Sequence, residues 1–264
     1  MAAEAEFNLV ELFWSAQGEG PLVGRSMLFL RFGGCDLRCG WCDTPGTWRP
    51  TRECRFETAP GTGLFVTAAN PISSARLVEA IGALAPKSGT FISLTGGEPL
   101  LQPKAVNAAA GIARDFGLRV VLETHGLAVT ALTEVIENID FVSMDWKLES
   151  DVRRAEEDRE GKGDSRPFAE LHADFLARVS QAAIDSCVKV VITQNTTVDE
   201  LDEVCRVLAA TSPDVPLILQ PVTPFGKVRE QPSAELLLQY LRRCDEKLAD
   251  VRLIPQTHRV YGAL

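Results

Sequence analysis

Short runs of β-branched and aliphatic residues alternate along this chain with longer stretches whose apolar positions recur every three or four residues. Ser26–Phe32 (SMLFLRF) reads as a strand. Beyond it, SARLVEAIGAL has helical spacing, TFISLTGG is a strand, and PKAVNAAAGIARDFG is a helix with proline at its start and glycine at its end. The order continues with LRVVLETHG as strand, TALTEVIENI as helix, DFVSMDWK as strand and FAELHADFLARVSQAAI as helix. CVKVVIT, PLILQPV and DVRLIPQ complete the strands, separated by the helices TVDELDEVCRVLAAT and SAELLLQYLRRCDEKL. Thr197 followed by Glu200 has the spacing of a capping box.

Repeated strand–helix units of this kind build a parallel sheet with helices outside it. Several of the strands are apolar runs without alternation, the pattern of a sheet covered on both faces. The expected fold is therefore α/β. About six units favour a partial (β/α)6 barrel over an open doubly wound sheet. A single domain over residues 1–264 is expected, with two interruptions. Arg52–Asn70 is rich in Thr, Pro and Gly and reads as a loop insertion near 52–70. Glu149–Arg166 (ESDVRRAEEDREGKGDSR) mixes charges of both signs with glycine and reads as a solvated helix end followed by a mobile loop, with a lid or partner surface as the sharper alternative.

Composition narrows the class. A chain of 264 residues with 45% hydrophobic content supports one sizeable core. Its net charge of −9 argues against a general nucleic-acid or membrane-surface binder. Residues 1–30 lack the pattern of a signal peptide, and no apolar run reaches the roughly 18 residues of a bilayer-spanning helix. A cytoplasmic protein is expected, with no nucleic-acid or membrane partner.

The seven cysteines cannot all pair with one another. Cys187, Cys205 and Cys244 sit in apolar settings and read as small core residues. Cys35, Cys39 and Cys42 instead form C-x3-C-x2-C in the glycine-flanked stretch RFGGCDLRCGWCDTPGTW. A disulfide would leave one thiol over, and structural zinc prefers four ligands in two separated pairs, whereas the only nearby fourth thiol is Cys54. An iron–sulfur cluster fits better. Three thiolates on a four-iron cluster leave one iron open to a small molecule, as a catalytic zinc keeps an open position. Polar residues also gather at strand ends, where parallel α/β folds bind ligands. These are SLTGGEP with Gly97 and Glu98, VSMDWK with Ser143, Asp145 and Lys147, and ILQPVTP with Gln220, Pro221 and Val222.

CDLRCGWC after an apolar strand resembles the signature of the radical S-adenosylmethionine superfamily, whose barrel is of the partial type expected above. The resemblance implies a [4Fe-4S] cluster on Cys35, Cys39 and Cys42, with S-adenosylmethionine on the open iron giving a 5′-deoxyadenosyl radical. It also implies that Trp41, Cys42, Asp43, Gly97, Glu98, Ser143, Asp145, Lys147, Gln220, Pro221 and Val222 contact that cofactor. The longer stretch ELFWSAQGEGPLVGRSMLFLRFGGCDLRCGWCDTPGTW, together with PQTHRVYG near the end, is similar to the 7-carboxy-7-deazaguanine synthase family. Membership would imply conversion of 6-carboxy-5,6,7,8-tetrahydropterin to 7-carboxy-7-deazaguanine, with loss of ammonia, in queuosine-type biosynthesis.

By the same resemblance, Ala16, Gln17, Gly18, Glu19, Arg31, Thr95, His258 and the terminal Leu264 would contact the pterin. Thr44 would hold Mg2+. A flavodoxin- or ferredoxin-type electron donor and a homodimer are further family expectations. The residue types suit these tasks: Gln17 and Glu19 offer a donor and acceptors to a pterin edge, and Arg31 suits a carboxylate. The plainer readings are a surface ion pair for Arg31 and interior roles for His258, His125 and His172. The rival activities are a glycyl-radical enzyme activase, which shares the cysteine spacing, and a zinc-bound interaction protein.

Overall fold

The computed structural model of the chain describes residues 5–85, 90–155, 166–226, 228–260 and 262. The chain opens with β1 (Glu6–Phe7) and β2 (Leu9–Ala16), and returns as β3 (Ser26–Phe32). β4 (Leu37–Cys39) lies within the cysteine loop. β5 (Glu53–Glu57), β6 (Phe65–Ala69) and β7 (Ile72–Ser73) lead into α1 (Ser74–Leu84). Strand and helix then alternate as β8 (Phe91–Gly96), α2 (Pro103–Asp115), β9 (Arg119–Thr124), α3 (Val129–Val135) and β10 (Phe141–Trp146). After the short β11 (Val152–Arg154) come α4 (Phe168–Gln181), β12 (Asp185–Ile192), α5 (Val198–Thr211), β13 (Leu217–Pro221), α6 (Ala234–Asp245) and β14 (Val251–Leu253).

The main sheet has the order β14-β13-β12-β10-β9-β8-β3-β2-β5-β6. From β3 to β14 every neighbouring pair is parallel. Among the described residues its two edges, β14 and β6, do not pair, so the sheet stays open, as a partial rather than a closed barrel does. All six expected helices are present in order.

Alternation along the strands sorts side chains to two faces. Leu28, Leu30, Ile92, Leu94, Val120, Leu122, Val142, Met144, Val188 and Val190 point toward the helices and join the large core. The opposite face begins apolar, with Phe13, Met27, Phe29, Phe91 and Val121 in a second, smaller core. Toward the C-terminal strand ends it turns polar, with Arg31, Thr95, Glu123, Asp145, Lys189 and Gln220 lining a pocket. One face is thus packed throughout and the other is half core, half site, rather than packed throughout on both.

Three local expectations are corrected. Leu9–Ala16, read only as a motif, is a strand antiparallel to β3. Residues 52–70 are not loop but contain the hairpin β5–β6, which extends the sheet through parallel pairing of β5 with β2. In ECRFE the alternate residues Cys54 and Phe56 are buried, a period-2 signal that the flanking Thr, Pro and Gly obscured. Within 149–166, Val152–Arg154 pairs antiparallel with Leu37–Cys39 and so braces the cysteine loop. Residues 156–165 of that segment lie outside the described residues.

Candidate active site

The cysteine loop leaves the end of β3 and is fastened from several sides. The Gly34 N–H donates to the Thr47 carbonyl at 2.8 Å, the Cys35 N–H to Trp48 at 3.2 Å and the Gly40 N–H to Asp151 at 2.8 Å. The Leu37 N–H donates to the Cys35 sulfur at 3.5 Å. Cys35, Cys39 and Cys42 are half-buried and line one pocket, whereas Cys54, Cys187, Cys205 and Cys244 are buried and do not line it. Burial pushes the Cys35 thiol up to about 12 and the Cys39 thiol up to about 11, so metal binding has to displace protons from both. Among the described residues no three His, Cys, Asp or Glu side chains converge on a point that holds a single ion. Three thiols lining one space fit a four-iron cluster, which takes one thiolate per corner.

The glycine pair after β8 explains itself sterically. A Cβ at Gly97 would lie 2.1 Å from the Gly34 carbonyl oxygen, and one at Gly96 would lie 2.3 Å from that of Phe32. Backbone from the cysteine loop fills that space, with the Glu98 N–H donating to Gly34 O at 2.8 Å. Gly97 reaches the pocket, but Glu98 does not. Its fully buried carboxylate accepts from Leu100 N–H at 2.9 Å, the Thr124 hydroxyl at 2.8 Å and His125 N–H at 2.9 Å. It anchors the turn to the end of β9.

The pocket is also lined by Trp41, Asp43, Ser143, Asp145, Lys147, Gln220 and Val222. Pro221 is buried in β13 and does not line it. Lys147 donates to Asp145 Oδ2 at 2.7 Å and lies 4.4 Å over the Trp41 ring. Asp145 Oδ1 and Gln220 Oε1 are buried acceptors with no hydrogen-bond partner among the described residues. Both residues line the cavity, and acceptors left unpaired there suit a ligand rich in donors. The hydroxyls and ammonium group of S-adenosylmethionine meet that requirement.

Ala16, Gln17, Gly18, Glu19, Arg31, Thr44, Thr95 and His258 line the same cavity, which holds about 410 Å3, a size suited to a small ligand. Arg31 donates through Nε to Glu11 at 2.9 Å. A Cβ at Gly18 would lie 2.0 Å from the His258 ring, and Thr257 N–H donates to the Gly18 carbonyl at 2.9 Å, so the C-terminal turn is seated on the QGEG loop. Gln256 donates to Glu19 at 2.7 Å, and Arg259 to Asp43 at 2.9 Å. Leu264 lies outside the described residues.

Two residues missed in the sequence also line this cavity. Glu123 accepts from Gln17 at 2.8 Å, Ser93 at 2.7 Å and Thr95 at 3.1 Å. Lys189 forms a buried ion pair with Glu19. The signals were a carboxylate at a strand end in LRVVLETHG and a lysine inside the otherwise apolar CVKVVIT. His125, read as interior, lines the pocket and meets Asp36 at 2.9 Å; despite desolvation by burial, Glu98 and Asp36 hold its ring above the usual histidine range. His172 lies behind it, buried against Trp146.

The Radical SAM superfamily model matches residues 30–208 of the chain. A 7-carboxy-7-deazaguanine synthase of Geobacter sulfurreducens is 40% identical over 262 residues, covering 97% of this chain and 98% of the relative. One from Methanocaldococcus jannaschii is 31% identical over 257 residues, covering 96% and 99%. The crystal structure of QueE from Escherichia coli shares the fold, with a TM-score of 0.57 at 20% identity over 97% of this chain and 95% of that one. Three clustered thiols at the C-terminal edge of an open parallel sheet, and full-length likeness to these relatives, lead to one conclusion: the chain belongs to the 7-carboxy-7-deazaguanine synthase family of the Radical SAM superfamily.

Proposed function

We propose that the pocket converts 6-carboxy-5,6,7,8-tetrahydropterin to 7-carboxy-7-deazaguanine with release of ammonia, and that residues 1–264 act as one catalytic domain. The observation that carries this reading is one cavity lined together by three thiols, by Asp145 and Gln220 with their unpaired acceptors, and by the ionised and amide groups of Gln17, Glu19, Glu123 and Lys189. When bound, the cluster and S-adenosylmethionine supply reversible hydrogen-atom abstraction. Cys35, Cys39 and Cys42 hold the cluster. Trp41, Asp43, Gly97, Ser143, Asp145, Lys147, Gln220 and Val222 orient the cofactor.

Glu19 and Glu123 accept from the pterin's N–H groups and Gln17 contributes from the same loop as Glu19. Burial alone would raise the Glu19 carboxyl, but Lys189 outweighs it and holds it down at about 2, so Glu19 is an anion throughout the working range. Arg31 keeps its terminal nitrogens free of other partners among the described residues and receives the substrate carboxylate. Thr44, whose hydroxyl has no hydrogen bond among the described residues, supplies an oxygen to Mg2+, which keeps several waters. His258 lines the cavity beside the Gly18 backbone and contributes a ring nitrogen to the pterin. A flavodoxin- or ferredoxin-type protein delivers the electron, and the active form is a cytoplasmic homodimer.

Anaerobic incubation of the cluster-loaded protein with the pterin, S-adenosylmethionine, Mg2+ and reductant tests the reading. Ammonia and 7-carboxy-7-deazaguanine in equal amounts are expected. Deoxyadenosine release without either product would favour a glycyl-radical activase instead.

A further inference from the structure

Lys189 is a charge where the fold asks for none. It sits in the middle of β12 between Val188 and Val190, with its side chain 11% exposed. Burying an ammonium group carries a large desolvation cost, and replacing a buried ion pair as a whole by apolar residues of similar size is often neutral or stabilising, so stability alone does not explain the pair. Its partners are Glu19, in the loop between β2 and β3, and Asp145, its register neighbour on β10, at 3.6 Å. Asp145 has its own cation, Lys147, at 2.7 Å. Among the described residues Glu19 has only Lys189 as a bonded cation, with the neutral Gln256 on its other oxygen at 2.7 Å.

We propose that Lys189 is a positioning residue for the pterin half of the site, fixing the Glu19 carboxylate so that the substrate's N–H groups meet a rigid anionic acceptor. This rests on the function proposed above. The asymmetry of the network makes the effect selective. Removing Lys189 leaves the Lys147–Asp145 pair in place, but leaves Glu19, whose side chain is 20% exposed, with no bonded cation among the described residues. The other charged or titratable groups facing the pair are Glu123 from β9, Cys187 from β12 itself and His258 from the C-terminal turn, with Arg259 and Asp43 beyond Gln256. None of these is a cation bonded to Glu19.

The test is calorimetric binding to the anaerobic, cluster-loaded enzyme of 6-carboxy-5,6,7,8-tetrahydropterin and of S-adenosylmethionine, each between pH 6.5 and 8.5. In Lys189→Met the pterin Kd should rise on the order of tenfold at pH 6.5, the scale of one hydrogen bond to a charged group. It should recover partly toward pH 8.5, because burial now raises Glu19 and the carboxylate forms only as pH climbs. The S-adenosylmethionine Kd should stay within about twofold. Lys189→Arg should keep the flat pH profile of the wild type, and Glu19→Gln should weaken the pterin equally at every pH. If Lys189→Met does not fold, Lys189→Gln, which keeps an N–H donor but no charge, carries the same expectation. An unchanged pterin Kd, an equal loss at every pH, or a parallel loss of S-adenosylmethionine affinity overturns the proposal. A wild-type enzyme that takes up S-adenosylmethionine but neither binds nor converts the pterin overturns the functional reading instead.

Discussion

A methyl group on Gly97 would meet the Gly34 carbonyl at 2.1 Å, a backbone atom that cannot swing aside. Gly97→Ala should therefore push the cysteine loop off the sheet and reduce the iron content of the purified protein to less than about half. Normal iron and sulfide counts in that variant would show that the loop tolerates the shift. Among the thiols, Cys39→Ala should abolish the brown absorbance of the cluster, whereas Cys187→Ala, buried in β12 outside the pocket, should leave it intact. Gln220 offers a different kind of test. Its Oε1 is buried and unpartnered, a state that costs about 1–3 kcal/mol without a donor. Gln220→Met should raise the Tm of the ligand-free protein while weakening S-adenosylmethionine binding. A variant that is less stable, or one that binds the cofactor as before, contradicts that assignment.

At the scale of elements, the strands show how far periodicity could be read. The helix-facing residues are apolar throughout, and the other face is apolar only over its first half, through Phe91, Val121, Met27 and Phe29. A strand that is apolar at nearly every position until its last two or three residues reads as buried on both faces. The pocket-facing residues Glu123 and Lys189 were therefore hidden inside the runs that announced the sheet. The helices were plainer, because their start signals are local. Thr197 and Glu200 form the expected capping box, with the Glu200 N–H donating to the Thr197 hydroxyl at 3.3 Å and the Thr197 N–H to the Glu200 carboxylate at 3.0 Å. Glu200 also accepts from Ser150 N–H at 3.2 Å, which ties α5 to the segment leading into β11. Thr197→Ala should cost about 1 kcal/mol of stability, and Glu200→Ala should cost more because it also frees that segment. Equal Tm losses for the two would mean that the second tie contributes nothing.

For the molecule as a whole, buried titratable groups set how stability responds to acid. His172 is enclosed, its ring 4.4 Å from Trp146, and burial pulls it down to about 3. An unfolded histidine titrates near 6.5, so the unfolded state binds this proton first as pH falls. The stabilising effect is complete above about pH 6.5 and is lost progressively toward pH 3, at up to about 1.4 kcal/mol per pH unit. Replacing His172 with Gln should make the drop in Tm between pH 6.5 and 5 visibly smaller. An identical drop in both proteins would assign the acid sensitivity to other groups.

What the sequence determined by itself was local. The C-x3-C-x2-C spacing, the QGEG and GGE turns and the helix caps are set by neighbours within a few positions, and they were enough for the six helices, the parallel strands between them, the cluster chemistry and the family. Residues 53–57 and 65–69 escaped because their alternation is short and flanked by turn formers. What the tertiary structure decided was which polar groups meet. Lys189 and Glu19 are 170 positions apart, and Gln256 and Glu19 are 237 apart. Such contacts depend on strand register and on which face a side chain takes, and both are fixed only when the whole sheet pairs and buries its core. The same assembly turned Glu98 from an expected cofactor contact into the anchor of a turn. It also made Lys189, one lysine in an apolar run, the ionic partner of Glu19 in the QGEG loop.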